Sequence, residues 1–163
     1  ISMLRERIPE FSLSTDIIVG FPGETDEEFE MTIEGIQKIR FDLIYSFKYS
    51  PRPGTKAADY PGHLSESVKS ERLKILLETQ EKIVSERFQA LVGTEQEVLI
   101  EGTHHRKKNT VTGRTRGNHP VSIKNSTKKA GDLMIVLITK ANKNSLEGVP
   151  SSVIQSLGTK SLA

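Results

Sequence analysis

The pattern of apolar and polar positions divides the chain into a first part with strand and helix signals and a second part with strand signals only. Residues 17–19 form a continuous apolar run, typical of a strand covered on both faces, and 43–47 predict another largely buried strand. Between them, apolar residues at helical spacing predict an amphipathic helix over 26–39. Strand, helix and strand with short connections make a βαβ unit.

A glycine-bent corner joins the first strand to this helix. Gly20, Pro22 and Gly23 turn the chain, and Thr25 and Glu28 have the spacing of a reciprocal capping box. Free amides at such a helix start favour a polar ligand. Corners of this kind also occur for purely structural reasons, so the residues alone leave both readings open.

A long helix is predicted after a loop rich in proline and glycine. It covers 66–91, and Gly93 ends it. Gln80 and Arg87 interrupt a strict heptad seam, which disfavours a coiled coil. The apolar positions expected along one face are Leu73, Leu76, Leu77, Ile83, Val84, Phe88 and Leu91.

After Gly93 the apolar period changes to two. Short apolar segments alternate with turns rich in glycine, asparagine and lysine, the pattern of a small antiparallel barrel. Residues 149–163 are rich in serine and lack periodicity, so we expect a disordered tail. The apolar segments contain Val98 and Ile100, Val111, Val121 and Ile123, and Met134 to Ile138.

Charge separates the same two parts. Residues 1–92 carry 12 Lys and Arg against 16 Asp and Glu, a net −4, whereas 93–141 carry 9 against 4, a net +5. The remaining 2 against 1 add +1 and give the overall +2. No apolar run approaches the roughly 18 residues of a membrane span. We therefore expect a soluble cytoplasmic protein with no membrane association.

Three motifs in order resemble the radical-SAM methylthiotransferase family. They are STDIIVGFPGETDEEF at 14–29, like the fifth-strand region of that family's barrel, YSFKYSPRPGTKAA at 45–58, like its sixth strand and exit loop, and GRTRGN at 113–118, like its TRAM domain. YSPRPGT, within the second motif, and GRTRGN favour the branch that modifies isopentenyladenosine beside the tRNA anticodon. The resemblance covers residues 1 to about 148.

This resemblance implies an α/β part followed by an all-β part. Residues 1–92 would be the last βα units of a radical-SAM (β/α) barrel with a long closing and linking helix. Residues 93–148 would be a small OB-like TRAM β-barrel that binds RNA, followed by the tail at 149–163.

The implied function is that of the C-terminal part of a tRNA methylthiotransferase. Such enzymes use S-adenosylmethionine and 4Fe-4S clusters to add a methylthio group to isopentenyladenosine. Because this chain has no cysteine, no catalytic or metal-ligating residue is assigned to it. The chain itself is expected to be inactive but to bind tRNA, and the intact enzyme to be monomeric. The alternatives are a sister enzyme acting on threonylcarbamoyladenosine or on a ribosomal-protein aspartate, and a non-catalytic TRAM RNA-binding protein.

Candidate cofactor contacts follow from the same resemblance. The fifth strand of radical-SAM proteins often carries GxIxGxxE, and here Ile18 and Gly20 match, which implies contact with the adenine of S-adenosylmethionine. Asp16 replaces the first glycine and Glu24 falls one residue late. Asp16 is costly to bury unpaired and is expected to meet a hydrogen-bond donor from the ligand or the barrel, with a buried structural carboxylate as the alternative. Arg52, between two prolines, is expected to hold a phosphate or the cofactor carboxylate, with a salt bridge to the adjacent helix as the alternative.

Basic residues of the second part are candidate phosphate contacts. Arg114 and Arg116 alternate and are expected to share one strand face. For 106–108 a solvated loop is the alternative. Aromatic residues are absent from 93–141, so base stacking is not expected. The candidate RNA-binding residues are Arg106, Lys107, Lys108, Arg114, Arg116 and Lys124.

Overall fold

A computed structural model of the chain describes residues 1–8, 11–104 and 109–152. They form two compact units, and the division in the chain falls between Val84 and Ser85. The first unit contains α1 (Ser2–Arg7), β1 (Ser14–Val19), α2 (Asp26–Ile39), β2 (Leu43–Lys48), a 3-10 turn (Lys56–Asp59) and most of α3 (Glu66–Leu91). The second unit contains β3 (Glu95–Thr103), β4 (Thr110–Thr115), β5 (Pro120–Lys124), β6 (Leu133–Ala141) and β7 (Leu146–Pro150).

The corner between β1 and α2 has the predicted capping box. Thr25 Oγ1 accepts a hydrogen bond from the backbone N–H of Glu28 (3.2 Å), and Glu28 Oε2 accepts one from the backbone N–H of Thr25 (2.9 Å). Gly20 and Gly23 have φ angles of +74° and +82°, which residues with a Cβ rarely adopt. The bounds predicted for α2 and α3 are confirmed.

β1 and β2 pair in parallel, and one face of this two-stranded sheet is covered. The prediction that residues 17–19 are covered on both faces is wrong for the described residues, because Ile18 is 54% exposed. Alternation along β1 places Ile18 on the face opposite to Val19, and the core lies on the Val19 side. The buried core of this unit consists of Val19, Phe29, Ile36, Ile44, Leu76 and Ile83.

The other face of the sheet is apolar and open. Ile18 lies opposite Phe47 in the strand register, and Asp16 lies opposite Tyr45. Ile18, Tyr45 and Phe47 are all about half exposed. We call this surface the open face, and it consists of Ser14, Asp16, Ile18, Leu43, Tyr45 and Phe47.

The prediction that the apolar positions of α3 all lie along one face is wrong for the described residues. Leu76 and Ile83 are buried in the first unit, whereas Leu77 is 50% exposed. Consecutive helical residues are rotated by roughly 100° about the axis, so Leu77 points away from the side that Leu76 buries. Gln80 lies on the buried side, and its Nε2 donates a hydrogen bond to the carbonyl oxygen of Phe41 (3.0 Å).

The second unit is a closed five-stranded barrel with the strand order β3-β4-β5-β7-β6. All pairs are antiparallel except β5 with β7. The predicted short strands are therefore confirmed as β3 to β6. The barrel interior is filled by Val98, Ile100, Val111, Val121, Ile123, Val136, Ile138 and Leu146.

The closing strand, β7, was not among the predicted strands. It extends two residues past 148, and 153–163 of the predicted tail lie outside the described residues. Two glycines allow close approach of neighbouring strands: a Cβ at Gly148 would lie 2.7 Å from the carbonyl oxygen of Leu137. A Cβ at Gly113 would collide with the carbonyl oxygen of Leu99. Among the helices of the described residues, none is long and apolar enough to span a membrane.

Candidate functional site

The Glu24 carboxylate holds the corner that follows β1. Its Oε2 accepts hydrogen bonds from the backbone N–H of Gly20 (2.7 Å) and from Nη1 of Arg72 (2.5 Å). Arg72 belongs to α3 and is only 5% exposed. Its Nη2 donates to Asp26 Oδ1 (2.6 Å), and its Nη1 also donates to the Glu24 carbonyl oxygen (3.1 Å). One buried guanidinium of α3 therefore fixes the start of α2.

The charge of Arg72 is secured by its partners. Burial by itself lowers the pKa of this guanidinium, but the hydrogen bonds to Asp26 and Glu24 outweigh that effect, so the pKa lies above its usual value. A planar guanidinium suits two carboxylates at once, because its donors point in fixed directions. The guanidinium donors of Arg72 are thus used in hydrogen bonds to Glu24 and Asp26 of the corner.

Lys69, one turn earlier in α3, is buried against the same corner. Its Nζ donates a hydrogen bond to the carbonyl oxygen of Tyr49 (3.2 Å) and forms an ion pair with Glu66. Two hydrogen bonds hold the pKa of Glu66 below its usual value: the one from Lys69 has the larger effect and the one from Lys48 the next largest. A Cβ at Gly20 would collide with the side chain of Lys69, so this glycine makes room for the buried lysine.

Aromatic rings line the loops beside this corner. The ring of Phe21 meets Tyr49 edge-on at 5.2 Å and Tyr60 at 6.1 Å, and Tyr49 lies 5.9 Å from the ring of His63. The Tyr49 hydroxyl is buried without a hydrogen-bond partner among the described residues. These contacts connect the loop after β2 to the βα corner.

The five predicted cofactor residues are divided among three places: the corner, the open face and, for Arg52, the loop after β2. Gly20 and Glu24 lie in the corner and are hydrogen-bonded to each other, whereas Asp16 and Ile18 lie on the open face. Asp16 is exposed, so it is not a buried structural carboxylate among the described residues, and its contact with a donor from the ligand stays a prediction. The alternative salt bridge from Arg52 to the adjacent helix is not formed within the described part of the chain. Its side chain is exposed, and its carbonyl oxygen accepts a hydrogen bond from Thr55 Oγ1 (2.8 Å).

The three described candidates for RNA binding lie on the barrel surface, and each has an acidic neighbour. Arg114 Nε lies 3.1 Å from Glu101 Oε1, and Arg116 Nε lies 2.9 Å from Glu97 Oε1. Both arginines therefore reach the same strand, β3. Lys124 Nζ lies 3.3 Å from a carboxylate oxygen of β7, that of Glu147. Arg106, Lys107 and Lys108 lie outside the described residues.

Arg114 also supports the turn between β4 and β5. Its Nη1 donates to the carbonyl oxygen (3.1 Å) and to Oδ1 (3.3 Å) of Asn118. Asn118 has a φ of 61°, a left-handed conformation that asparagine tolerates better than most residues. Arg116 is the most exposed of the three cations, with 79% of its side chain accessible. Its ion pair with Glu97 is therefore open to solvent and contributes little to stability.

The comparisons with known proteins cover both units. Residues 89–150 match the TRAM domain family, so the barrel is a TRAM domain. Nearly the whole chain is similar to curated enzymes named tRNA-2-methylthio-N(6)-dimethylallyladenosine synthase. The identity to the one from Thermodesulfovibrio yellowstonii is 47% over 148 residues, which cover 91% of this chain and 34% of the relative. The identity to the synthase from Aquifex aeolicus is 42% over 155 residues, which cover 95% of this chain and 34% of the relative.

A third such synthase, from Acetivibrio thermocellus, is 44% identical over 148 residues, which cover 91% of this chain and 31% of the relative. This similarity includes the α/β unit as well as the barrel. The chain belongs to the tRNA methylthiotransferase family, and it spans about a third of the length of these relatives.

Proposed function

We propose that this chain is the part of a tRNA methylthiotransferase that closes the radical-SAM barrel and carries the RNA-binding domain. Residues 1–92 supply two barrel strands and the closing helix, and the RNA-binding barrel runs from 93 to Pro150, two residues further than the sequence predicted. The observation that carries this proposal is the 42–47% identity, across both units, to synthases that all bear one name. The full enzyme adds a methylthio group to dimethylallyladenosine, which is the isopentenyladenosine expected from the motifs.

The open face fits S-adenosylmethionine in part. Ile18 and Phe47 lie side by side and about half exposed, which suits the flat apolar face of an adenine. Asp16, on the same face, has a carboxylate with no partner among the described residues, and it can accept a hydrogen bond from an amino or hydroxyl group. Gly20 and Glu24 contribute by shaping the corner, and the exposed Arg52 meets a phosphate or the cofactor carboxylate in this proposal.

S-adenosylmethionine supplies the radical and the methyl group when it is bound. The residues of this chain bind and orient: Asp16 and Ile18 contact the cofactor, and Arg72 and Lys69 act as positioning residues through Glu24 and Gly20. The iron–sulfur clusters do not fit this chain, because it contains no cysteine. Their ligands belong to other parts of the enzyme.

The isolated chain is therefore expected to bind no iron and to leave S-adenosylmethionine intact. Anaerobic reconstitution with iron and sulfide, followed by iron analysis and an assay for 5′-deoxyadenosine, tests this. An intact family enzyme, treated in the same way, is the positive control. Measurable turnover by the isolated chain would contradict the proposed division of labour.

Binding of tRNA is assigned to the barrel, where Arg114, Arg116 and Lys124 are exposed. We also assign the basic run 106–108 to this surface from its sequence. Phosphate contacts by these residues position the RNA without reading its bases. Because tRNA is the substrate, the cytoplasm is the proposed location, and the proposed partners are tRNA and S-adenosylmethionine, with a monomeric enzyme.

Substituting the two members of the Arg116–Glu97 ion pair should have opposite effects on RNA binding. Arg116→Ala should weaken binding to an anticodon stem-loop and reduce the slope of log affinity against log salt by roughly 0.7 to 0.9. Glu97→Gln should strengthen binding, because it frees Arg116 for phosphate. Fluorescence anisotropy at several salt concentrations measures both. Lys140→Ala, which removes an exposed charge from β6, is the matched control, and unchanged affinity in all three variants would exclude this face.

A chimera tests the proposal as a whole. The matched third of the Thermodesulfovibrio yellowstonii synthase is replaced by this chain, and tRNA nucleosides from cells lacking the native enzyme are analysed by mass spectrometry. The methylthio group should appear on dimethylallyladenosine. If instead threonylcarbamoyladenosine is modified, the chain comes from the sister enzyme. A chimera that retains its clusters and binds tRNA but modifies nothing would favour the non-catalytic RNA-binding protein.

A further inference from the structure

A groove of about 670 Å³ lies between α2 and α3 in the first unit. Its apolar lining comes from both helices. Val68 and Ile75, seven positions apart on α3, are 39% and 36% exposed, and Ile33 of α2 is only partly buried. We call this the α2/α3 groove, and its apolar residues are Phe29, Ile33, Val68 and Ile75.

The rim of the α2/α3 groove is acidic. Glu30 and Glu34 lie on one row of α2, and Glu71 faces them from α3. The side chains of Glu30 and Glu34 form no hydrogen bond or ion pair with any described residue. The one basic residue of the lining, Arg72, is already bound to Glu24 and Asp26.

This arrangement is unfavourable for the protein alone. Like charges four residues apart on a helix repel each other, and neither Glu30 nor Glu34 has an ion pair within the described part of the chain. Partly exposed aliphatic side chains beside them leave apolar area in water. The negative rim also disfavours nucleic acid, so this surface is not part of the proposed tRNA interface.

We propose that the α2/α3 groove binds a basic amphipathic helix of a partner protein. Apolar side chains of that helix pack on Val68, Ile75 and Ile33, and its lysines and arginines pair with Glu30, Glu34 and Glu71. The part of α2 that lines the groove runs from Asp26 to Gln37 and is about 17 Å long at 1.5 Å per residue. It therefore accommodates about three turns of a docked helix.

A designed peptide tests this proposal directly. The probe is a fluorescein-labelled helix of about five turns with leucine on one face and lysine on the other. The 163-residue chain should bind it with a micromolar Kd. A peptide with glutamate in place of every lysine should not bind, and failure of the lysine peptide to bind would overturn the proposal.

Two double variants with the same change in net charge locate the site. Glu30→Lys with Glu34→Lys should weaken binding at least roughly tenfold. Glu27→Lys with Glu78→Lys changes exposed residues that do not line the groove and should leave the Kd unchanged. Equal weakening by both pairs would mean nonspecific attraction and would sink the proposal.

A second variant covers the case in which charge reversal impairs folding. Val68→Ser with Ile75→Ser should also weaken peptide binding by about tenfold, while circular dichroism stays that of the parent. Two other occupants would be revealed by the same materials. If a full-length family enzyme does not bind the peptide, a segment of that enzyme fills the groove. If the chain dimerises and the double variants do not, a second copy of the chain fills the groove. Either result would reject a partner protein as the occupant.

Discussion

Replacing Gly113 with alanine is expected to open the barrel. The new Cβ would collide with the carbonyl oxygen of Leu99 and would lie 2.8 Å from Cγ1 of Val98, and neither the backbone nor a β-branched core residue yields easily. Overpacking of this kind typically costs about 1–3 kcal/mol, and we expect about 3 kcal/mol because backbone is involved. Gly148→Ala should act in the same way, since its Cβ would crowd Leu137.

Hydrogen exchange measures this effect within the barrel. At 1.4 kcal/mol for each factor of ten, protection of the β3 to β7 amides should fall by roughly a hundredfold. Gly102→Ala is the matched control, because a Cβ there meets nothing within 4 Å and its backbone is not left-handed. Protection of the barrel amides that is as high in Gly113→Ala as in Gly102→Ala would contradict the close approach of β3 and β4.

Removing the guanidinium of Arg72 should have the largest effect in the first unit. Arg72→Met keeps the aliphatic stem but leaves Glu24, whose side chain is only 14% exposed, without its cation. Breaking a buried pair costs about 3–5 kcal/mol, and we expect the lower end because Glu24 keeps the N–H of Gly20. The contact with Asp26 adds little, since that side chain is 89% exposed.

Tyrosine fluorescence follows this unit alone, because the three tyrosines of the chain, Tyr45, Tyr49 and Tyr60, lie in it and there is no tryptophan. Urea unfolding of Arg72→Met should show the loss in free energy of unfolding. Lys74→Met is the control: its 3.9 Å pair with Glu71 is exposed on both sides and should change stability by less than about 0.5 kcal/mol. Equal stability of the two variants would show that Arg72 does not hold the corner.

The local order of elements was determined by the sequence. Thr25 and Glu28 mark the start of α2, and a glycine with positive φ, Gly93, follows the end of α3. These signals act between residues close in the chain, so they can be read without a fold. The apolar period likewise predicted β3 to β6. It missed β7, which contains two poor strand formers, Gly148 and Pro150. Gly148 is suited to this strand because a Cβ there would crowd Leu137 of β6, a contact that the local pattern does not show.

The contacts of the candidate site were decided by the tertiary structure. Arg72 lies 48 residues from Glu24, and no local pattern joins them. The sequence contains a weak signal that Lys69 and Arg72 are buried. Leu76, Gln80 and Ile83 form a buried stripe on α3, and these two cations extend it toward the helix start at spacings of three and four residues. A cation in such a stripe must find an anion or a carbonyl group, but the sequence does not say which.

Net charge can be counted from the sequence, but the partners of the charged side chains cannot. The count of +5 for residues 93–141 is a property of the sequence, but the pairing of Arg114 and Arg116 with β3 depends on strand register. The open face is also a tertiary result: the run at 17–19 has the composition of a doubly covered strand, and only the arrangement of α2 and α3 shows which side these residues cover. Composition and spacing are local, whereas burial and pairing depend on which distant segments meet.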